Sequence, residues 1–296
     1  MSKKDIISAV LIDSDEDDEE YVFNIPDKIV PSEEQSLEEE KEKEAQEEKE
    51  EQNESDSIKP LKKKRVVKPK VELNKYFNEN PDTIEIGIDE VGRGPLFGRV
   101  YASAVVLPKS DEFNHHEMKD SKKFHSKAKI ESVSEYIKQN AIAWSIKYET
   151  EDTIDRINIL QATQSAMHNC ITDIIHQLKE KNSELDLKKI ILLIDGNYFK
   201  PFIYFNQNTN RFETISYNLI EQGDNKFTSI AGASILAKVE RDKYILELCE
   251  EHPELKEKYK IHTNKGYGSK QHLDGIKANG ITQWHRRTFG ICKNYF

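Results

Sequence analysis

The spacing of apolar residues marks the start of a folded region near residue 84. The segment "TIEIGIDEV" alternates apolar and polar residues, and "RVYASAVVLP" resumes an apolar run after three closely spaced glycines. A two-residue period predicts β-strands, and a glycine turn between two such runs predicts antiparallel neighbours. We therefore expect a folded domain whose first two strands pair across this turn.

Later segments predict helices and strands in alternation. Apolar residues at three- and four-residue steps predict a helix over "SKAKIESVSEYIKQN" and a long helix from about Ile157 to Lys181, with a strand, "AIAWSIKYE", between them. The apolar stripe of the long helix is expected in the core, and it consists of Leu160, Met167, Ile171, Ile174 and Leu178.

The second half of the domain contains the clearest buried strand, "KKIILLIDGN", which ends at Asp195. The runs "FIYFN" and "RFETISYNLI" predict a hairpin around "QNTN", and "SIAGASILAKVERDKYILELCEE" predicts a helix with small residues on a closely packed face. Strands mixed with helices of this length predict an α/β fold, a mixed sheet with helices on both faces.

Charge separates an N-terminal tail from this domain. Residues 1–56 carry 22 acidic residues and 6 lysines, whereas the rest of the chain carries 32 acidic and 38 basic residues. Residues 32–57 have little to bury and repel one another, which predicts disorder, with a transient charged helix as the alternative. The run 59–70 holds seven bases and no acid, typical of a nuclear signal or a nucleic-acid contact and otherwise of a solvated linker. We expect a tail of unknown partner over 1–71 and a folded domain over 72–296.

Several classes of protein are excluded by the pattern. The sequence has no apolar run long enough to span a bilayer, and its N-terminus breaks into acids where a signal peptide needs apolar residues. We therefore expect an intracellular protein, cytoplasmic or nuclear, without membrane contact. The cysteines lack disulfide or zinc spacing and are expected to be buried apolar residues, namely Cys170, Cys249 and Cys292.

Four acidic residues end predicted strands or follow them. Asp89 and Glu90 end the first strand, and Asp195 ends the buried strand. Asp224 precedes the next helix, and α/β sheets collect their sites at such strand ends. Converging carboxylates repel unless divalent cations lie among them, and oxygen ligands suit magnesium or manganese. The alternative is that each acid separately caps a helix or forms an ion pair.

The glycine turn bears on this site in two ways. Asp89 and Glu90 face opposite sides of a regular strand, so we expect a distortion at Gly92 that lets Glu90 turn inward or offer its carbonyl. The glycine spacing in "GRGPLFG" matches neither the dinucleotide fingerprint nor the Walker phosphate loop. Dense glycines let a ligand approach the backbone, and Arg93 between them favours a nucleic-acid backbone as that ligand.

Six motifs occur in order along the chain: "GIDEVGRGPLFG", "DSKKF", "LLIDGN", "GDNKFTSIAGASILAKVERD", "KGYGSKQH" and "HRRTFG". Together they resemble the type 2 ribonuclease H family, also called ribonuclease HII, from about Ile84 to Ile291. The resemblance implies a monomeric catalytic domain with a ribonuclease H-like core over 84–251 and a helical C-terminal part over 252–296.

The resemblance also implies an activity. The family hydrolyses the RNA strand of RNA/DNA hybrids and cuts duplex DNA 5′ of an embedded ribonucleotide, leaving 5′-phosphate and 3′-hydroxyl ends. It thereby removes ribonucleotides and primers in DNA replication and repair. The family's catalytic and metal-binding acids fall on Asp89, Glu90, Asp195 and Asp224. Two Mg²⁺ or Mn²⁺ ions held by them would flank the scissile phosphate.

The implied substrate contacts lie in three motifs. The segment that surrounds the ribose 2′-hydroxyl matches Gly92, Arg93 and Gly94. Tyr267 matches the aromatic residue that stacks beside the neighbouring deoxynucleotide, and Lys122 and Lys123 are expected at phosphates. The 2′-hydroxyl is the group that distinguishes a ribonucleotide within a duplex.

Other residues receive structural expectations. Asn158 is expected to cap a helix or tie a loop, and Asp242 to pair with a base such as Lys238 or Arg241. Residues 285–287, "HRR", either touch DNA or fix the C-terminal helices.

The chain departs from the family pattern in three places. Asn264 stands where a histidine is usual, Arg99 where a small residue or proline is common, and 28 residues separate Asp195 from Asp224, more than usual. None of these departures touches the four acids. The alternatives are a non-catalytic hybrid-binding subunit, a protein that interacts through its tail, or another two-metal nuclease of the same superfold. A non-catalytic subunit would have lost a metal ligand, and the other two-metal nucleases lack the "GRG" and "KGYG" pair.

Overall fold

The computed structural model describes residues 72–207 and 209–295. The expected acidic tail over 1–71, with its basic stretch, lies outside the described residues. Within the described ranges, no helix has the length and apolar character needed to cross a membrane.

A five-stranded mixed sheet lies at the centre of the domain. Its strand order is β3-β2-β1-β4-β7, and the bounds are β1 (Ile84–Val91), β2 (Val100–Val106), β3 (Ala143–Glu149), β4 (Ile190–Asp195) and β7 (Ser216–Ile220). β2 pairs antiparallel with β1 and β3, whereas β4 pairs parallel with β1 and β7. The predicted mixed sheet is confirmed. Its parallel part brings the carboxyl ends of three strands to one edge.

Helices cover both faces of the sheet, and their bounds are α1 (Lys127–Asn140), α2 (Glu151–Lys181) and α3 (Thr228–Glu251). Ile86 and Ile88 of β1 pack in the cluster that includes the buried face of α2. Gly87, which points the other way, faces α3. A Cβ at Gly87 would lie 2.3 Å from the carbonyl carbon of Ser229, so a glycine is needed for α3 to approach the strand this closely.

The long helix α2 is two helical segments joined at Asn158, whose backbone is non-helical (φ 64°, ψ 165°). The helix therefore begins at Glu151, earlier than the sequence predicts. The Asn158 Oδ1 accepts a hydrogen bond from the backbone N–H of Gln161 at 3.0 Å, so the expected capping role is confirmed. Of the predicted core stripe, Leu160 is half-buried, and the remaining four residues are buried: Met167, Ile171, Ile174 and Leu178.

The predicted hairpin forms, but its second strand is shorter than expected. β5 (Ile203–Asn206) pairs antiparallel with β6 (Arg211–Thr214) in a separate two-stranded sheet. The chain then buries Ile215 in the core and continues as β7, which pairs with β4. The single predicted strand "RFETISYNLI" is thus wrong, because Ile215 turns the chain from the hairpin to the main sheet.

The C-terminal part is helical, as expected, with α4 (Pro253–Tyr259), α5 (Ile261–Asn264) and α6 (Lys270–Asn279). Its apolar residues form a cluster with the end of α3 and with Phe97 of the glycine turn. All three cysteines are free and buried, which confirms their expected structural role.

Candidate active site

The register of the sheet brings the predicted acids to one edge. Ile88 pairs with Ile194 across β1 and β4, so Asp89 and Asp195 are the next residues on adjacent parallel strands. Asp195 pairs in turn with Ile220, the last residue of β7. A short 3₁₀ turn, Gly223–Asn225, follows β7 and carries Asp224. The remaining acid, Glu90, is the neighbour of Asp89 in β1.

Asp89 and Glu90 reach the site from opposite faces of β1. Asp89 lies towards α3, beside the Ser234 hydroxyl, whereas Glu90 lines a cavity of about 60 Å³ together with Asp195 and residues of α2 such as Gln164. The pairing of β1 with β2 remains regular to the end of β1. The expected strand distortion is therefore not the means by which Glu90 reaches the site. Asp89 and Glu90 lie on opposite faces of β1, and the charge of Asp195 acts on both carboxyl groups.

Burial and mutual repulsion govern the charge of Asp89. Its side chain is only 5% exposed, and its Oδ1 accepts the backbone N–H of Glu90 at 2.7 Å. Burial raises the pKa of Asp89 well above its usual range, and the charges of Glu90 and Asp195 raise it further. The ionised form of Asp89 is therefore stabilised by any positive charge added beside it.

Glu90 and Asp195 carry raised pKa values for the same first cause, burial. The pKa of Glu90 is partly restored by Arg93, whose Nη1 lies 3.4 Å from Glu90 Oε1. The pKa of Asp195 is partly restored by the backbone N–H of Gly223, which donates to its Oδ1 at 2.6 Å. This last bond also ties the turn that carries Asp224 to the end of β4.

Asp224 stands between two other acids. Burial raises its pKa to about 6, with further contributions from Asp120 and Asp195, while the charge of Lys122 lowers it. Asp120 belongs to the "DSKKF" motif, and no sequence pattern predicts its place beside Asp224. Its proximity shows that this motif packs directly against the fourth acid.

The four acids fit a hard divalent cation by their chemistry. Their donor atoms are all carboxylate oxygens, which Mg²⁺ and Mn²⁺ prefer. Burial raises the pKa of all four acids, and neighbouring carboxylates raise the pKa values of Asp89, Glu90 and Asp224 further. Across residues 72–207 and 209–295, no three His, Cys, Asp or Glu side chains converge on one point as a finished chelate. The acids lie at the carboxyl ends of β1 and β4 and in the turn after β7.

Two buried arginines hold the glycine turn beside these acids. Arg286 is fully buried and donates to the carbonyl oxygens of Gly92 at 2.6 Å, Arg93 at 2.8 Å and Gly98 at 2.9 Å. Because each donor has a carbonyl partner, the turn is fixed by hydrogen bonds that the β-ladder does not supply. Residues 285–287 are expected either to touch DNA or to have a structural role, and Arg286 has the structural role.

Arg241 holds the same turn from α3. It donates to the carbonyl oxygens of Phe97, at 3.2 Å, and Lys265, at 3.1 Å, and thereby joins the turn to the "KGYGS" segment. It is not the partner of Asp242, which instead pairs with Lys238 at 2.9 Å. Nothing in the local pattern of α3 distinguishes a buried arginine from an exposed one, so this role of Arg241 is not predictable from the sequence.

Tyr267 lies against the turn and is 47% exposed. A Cβ at Gly94 would lie 3.6 Å from its ring, and the backbone N–H of Leu96 donates to the Gly266 carbonyl at 2.9 Å. The departure at Asn264 has a structural role, since its Oδ1 accepts the Gly266 N–H at 2.8 Å. The turn and Tyr267 thus form one surface.

The two lysines predicted to contact phosphates, Lys122 and Lys123, have different partners in the structure. Lys122 lies within electrostatic reach of Asp195 and Asp224, whereas the Lys123 ammonium donates to the side chain of Asn225. At the departure Arg99, the guanidinium stacks between the rings of Tyr148 and Tyr244, at 4.1 and 4.3 Å.

Comparisons with known proteins agree on one family. The family model described as Ribonuclease HII matches residues 86–292. The ribonuclease HII of Bacteroides thetaiotaomicron is 39% identical over 212 residues, covering 72% of this chain and 92% of that protein. The ribonuclease HII of Rickettsia prowazekii is 39% identical over 222 residues, covering 75% of this chain and 99% of that protein.

Solved structures agree on the fold. The ribonuclease H2 of Pyrococcus horikoshii superposes with a TM-score of 0.53 at 19% identity, over 72% of this chain and 97% of that chain. The ribonuclease HII solved in a complex with PCNA from Archaeoglobus fulgidus gives a TM-score of 0.50 at 22% identity, over 70% and 96% of the respective chains. The family match covers most of the chain and includes all four acids, so this protein is a nuclease of the ribonuclease HII family.

Proposed function

We propose that this enzyme hydrolyses the RNA strand of RNA/DNA hybrids and cuts duplex DNA on the 5′ side of an embedded ribonucleotide. The observation that carries the proposal is the placement of four carboxylates next to a backbone turn that Arg241 and Arg286 hold rigid. One group of residues suits phosphodiester chemistry and the other suits recognition of the sugar. Their adjacency favours a nuclease that selects its bond by the sugar beside it.

In this proposal the acids hold two Mg²⁺ or Mn²⁺ ions, and the holding residues are Asp89, Glu90, Asp195 and Asp224. When bound, such ions activate the attacking water and stabilise the leaving oxygen. The protein supplies the geometry: β1 and β4 fix Asp89 and Asp195, and the Gly223 N–H restrains the Asp195 carboxylate. The rigid strands favour this role, because a displacement of one ångström at such a site is costly to the rate.

The chain's positive and aromatic groups orient the substrate. Arg93, half-exposed and 3.4 Å from Glu90, can contact a phosphate while it keeps that carboxylate in place. The backbone of Gly92, Arg93 and Gly94 would surround the ribose 2′-hydroxyl, which both donates and accepts hydrogen bonds. Tyr267 would stack beside the neighbouring deoxynucleotide, and Lys122 would meet a phosphate at the acids.

The proposed biological role is removal of ribonucleotides and primers from DNA. The catalytic domain over 72–296 would act as a monomer, with core 84–251 and C-terminal part 252–296. Within the core, β1, β4 and the turn after β7 hold the acids, and the C-terminal part contributes Arg286 and Tyr267 to recognition. Both parts are therefore needed for a selective cut.

The test is cleavage of a labelled DNA duplex that carries one ribonucleotide, with Mg²⁺ and with Mn²⁺, by the wild type and by Asp89→Asn. We expect a cut on the 5′ side of the ribonucleotide that Asp89→Asn abolishes. An all-DNA duplex serves as the substrate control. Binding of the duplex without cleavage would contradict the proposal and indicate a non-catalytic hybrid-binding protein.

A further inference from the structure

We infer that the DSKK turn (Asp120–Lys123) positions the outermost acids of the site, Asp224 through Asn225 and Asp89 through Ser234. The inference rests on the proposed function and deepens it, because it assigns positioning residues to the proposed metal site. The sequence pattern predicts no role for Asn225 or Ser234. In the structure Asn225 contacts Asp224, and Ser234 lies beside Asp89.

The DSKK turn is itself a rigid element. Residues Ser121–Lys123 form a 3₁₀ turn, and the nearly buried Asp120 caps it by accepting the Lys122 N–H at 2.9 Å. The Asp120 carbonyl accepts the Lys123 N–H at 3.0 Å. Because Asp120 holds two successive N–H groups of the turn, through its side chain and its carbonyl oxygen, the side chains of the turn can hold neighbouring groups in one place.

Asn225 connects this turn to Asp224. Its amide nitrogen lies 3.1 Å from Asp224 Oδ1 and 3.4 Å from Asp120 Oδ2, and its amide oxygen accepts from the Lys123 ammonium. An amide can donate towards carboxylates on one side and accept from an ammonium on the other. An aspartate at this position could not donate to the two acids, and an apolar residue could do neither.

Asp224 needs such support more than the other acids do. Asp89, Glu90 and Asp195 lie in strands whose ladder fixes their backbone. Asp224 lies in a short turn after β7, and the preceding Gln222 has a left-handed backbone. Its side chain therefore depends on local hydrogen bonds for its direction, and groups that orient metal ligands typically change metal affinity 10- to 100-fold.

The same turn also contacts the residue beside Asp89. The hydroxyl of Ser121 lies 3.0 Å from that of Ser234 in α3, and the Ser234 hydroxyl lies within interaction distance of the Asp89 carboxylate. The acids at the two ends of the site, from β1 and from the turn after β7, are thus linked through one element. A shift of the DSKK turn would move both together.

The assignment changes the role of Lys123. The resemblance to the family places it at a phosphate, whereas in the structure its ammonium is bound to the Asn225 side chain. Lys122 remains directed at the charge of Asp195 and Asp224. The two lysines of the turn therefore have different roles. Lys122 acts on the charge of the acids, and Lys123 holds Asn225.

The decisive measurement is Mn²⁺ binding to the full chain without substrate, by the electron paramagnetic resonance of free Mn²⁺. We expect Asn225→Leu to raise the Kd by about tenfold or more. The matched control is Asn140→Leu, which loses a comparable amide bond, from its Nδ2 to the Tyr136 carbonyl at 2.8 Å, at the far end of α1. Equal Kd values for Asn225→Leu and the wild type would overturn the inference.

Lys123 separates positioning from substrate contact. Lys123→Met is expected to raise the Mn²⁺ Kd without substrate, and Lys123→Arg, which keeps a donor, is expected to restore it. If Lys123 only met a phosphate, the Met variant would raise the substrate KM and leave the Mn²⁺ Kd unchanged, which would contradict the inference. Failure of the wild type to bind Mn²⁺ at all would instead refute the proposed metal site.

Ser234 provides a second variant in case Asn225→Leu fails to fold, as judged by circular dichroism. Ser234→Ala is expected to raise the Mn²⁺ Kd several-fold, because it removes the link between Asp89 and Ser121. Its control is Ser229→Ala in the same helix, whose buried hydroxyl has no hydrogen-bond partner among the described residues. An equal effect of the two serine variants would count against the DSKK turn as a positioning element.

Discussion

Arg286 donates a hydrogen bond of 2.6 Å to the carbonyl oxygen of Gly92, a residue 194 positions earlier in the chain. Since the same guanidinium also holds Arg93 and Gly98, the C-terminal part shapes the turn proposed to recognise ribose. Stability and the proposed selection of substrate would therefore be coupled at one side chain.

Replacement of this arginine is expected to affect both properties. Arg286→Met leaves three carbonyl oxygens without their donor, which should cost at least about 3 kcal/mol of unfolding free energy. Cleavage at a single ribonucleotide should fall further than Mn²⁺ binding, since the acids lie on β1, on β4 and in the turn after β7 rather than in the glycine turn. Urea denaturation measures the loss of unfolding free energy. Duplex cleavage and Mn²⁺ binding measure the other two effects.

The adjacent arginine is the matched control for that variant. Arg287 forms an exposed ion pair with Asp152 at 3.0 Å, so Arg287→Met should cost less than about 1 kcal/mol. Similar losses of stability in the two variants would show that the buried carbonyl contacts of Arg286 are not what holds the turn.

Gly92 tests whether the turn tolerates any side chain. Its φ of +91° is unfavourable for other residues, and a Cβ there would lie 2.3 Å from the Nε of Arg241. We expect Gly92→Ala to abolish cleavage at a single ribonucleotide. Gly280→Ala is the control, because Gly280 also has a positive φ, +75°, but has open space around it. The control should lose about 1–3 kcal/mol of stability from backbone strain and keep its activity.

Two buried histidines make the C-terminal part sensitive to acid. His272 Nδ1 contacts the Tyr267 carbonyl oxygen, His272 Nε2 lies 3.1 Å from His285 Nε2, and His285 Nδ1 accepts the Thr282 N–H. These partners are all satisfied when both rings are neutral: His272 donates to Tyr267, and His285 donates to His272. A proton added to His272 Nε2 would face the N–H of His285.

The pH dependence of stability follows from this pair. Burial, followed by the charge of His272, lowers the pKa of His285 to about 3, whereas an unfolded histidine titrates near about 6.5. Below that pH the unfolded chain binds a proton that the folded chain does not, so stability falls as the pH falls, by up to about 1.4 kcal/mol per pH unit. Above it, this residue contributes no pH dependence.

The measurement is the difference in unfolding free energy between pH 7.5 and pH 5.5, for the wild type and for His285→Gln. The variant should lose less stability than the wild type over this range. The comparison is made within each protein, so the cost of the substitution itself cancels. Equal losses would show that His285 is not the group responsible.

Tyr267 is expected to act through its ring. Tyr267→Ala should lower kcat/KM at a single embedded ribonucleotide by roughly tenfold to a hundredfold, because stacking of an aromatic ring on nucleic acid is worth about 1–3 kcal/mol. Tyr267→Phe should retain most of the activity. A loss of equal size in the Phe variant would assign the effect to the hydroxyl instead.

The sequence predicts the parts of this site that depend on local pattern. The alternation in β1 and the apolar run of β4 locate Asp89, Glu90 and Asp195, because strand ends in α/β sheets lie at a common edge. The cap at Asn158 is likewise readable from its residue type. These features depend on neighbouring residues in the chain, which periodicity describes well.

Other features depend on contacts between distant segments, and periodicity contains no information about them. The alternation of "RFETISYNLI" runs on through Ile215, although that residue leaves the hairpin for the core. Arg241 lies in an ordinary helical stretch, and only its position beneath the turn makes it a donor to Phe97 and Lys265. The bond from Lys123 to Asn225 likewise joins two loops 102 positions apart.

The contact between Arg286 and Gly92 also has a consequence for protein synthesis. The strands and the turn that carry the acids leave the ribosome before Arg286 does, so a nascent chain contains the proposed chemical groups before the turn is held in shape. The proposed recognition of the sugar would then be the last property that the growing chain acquires. A fragment that lacks the C-terminal part would retain its acids and lack the arginine that holds the turn proposed to select the bond.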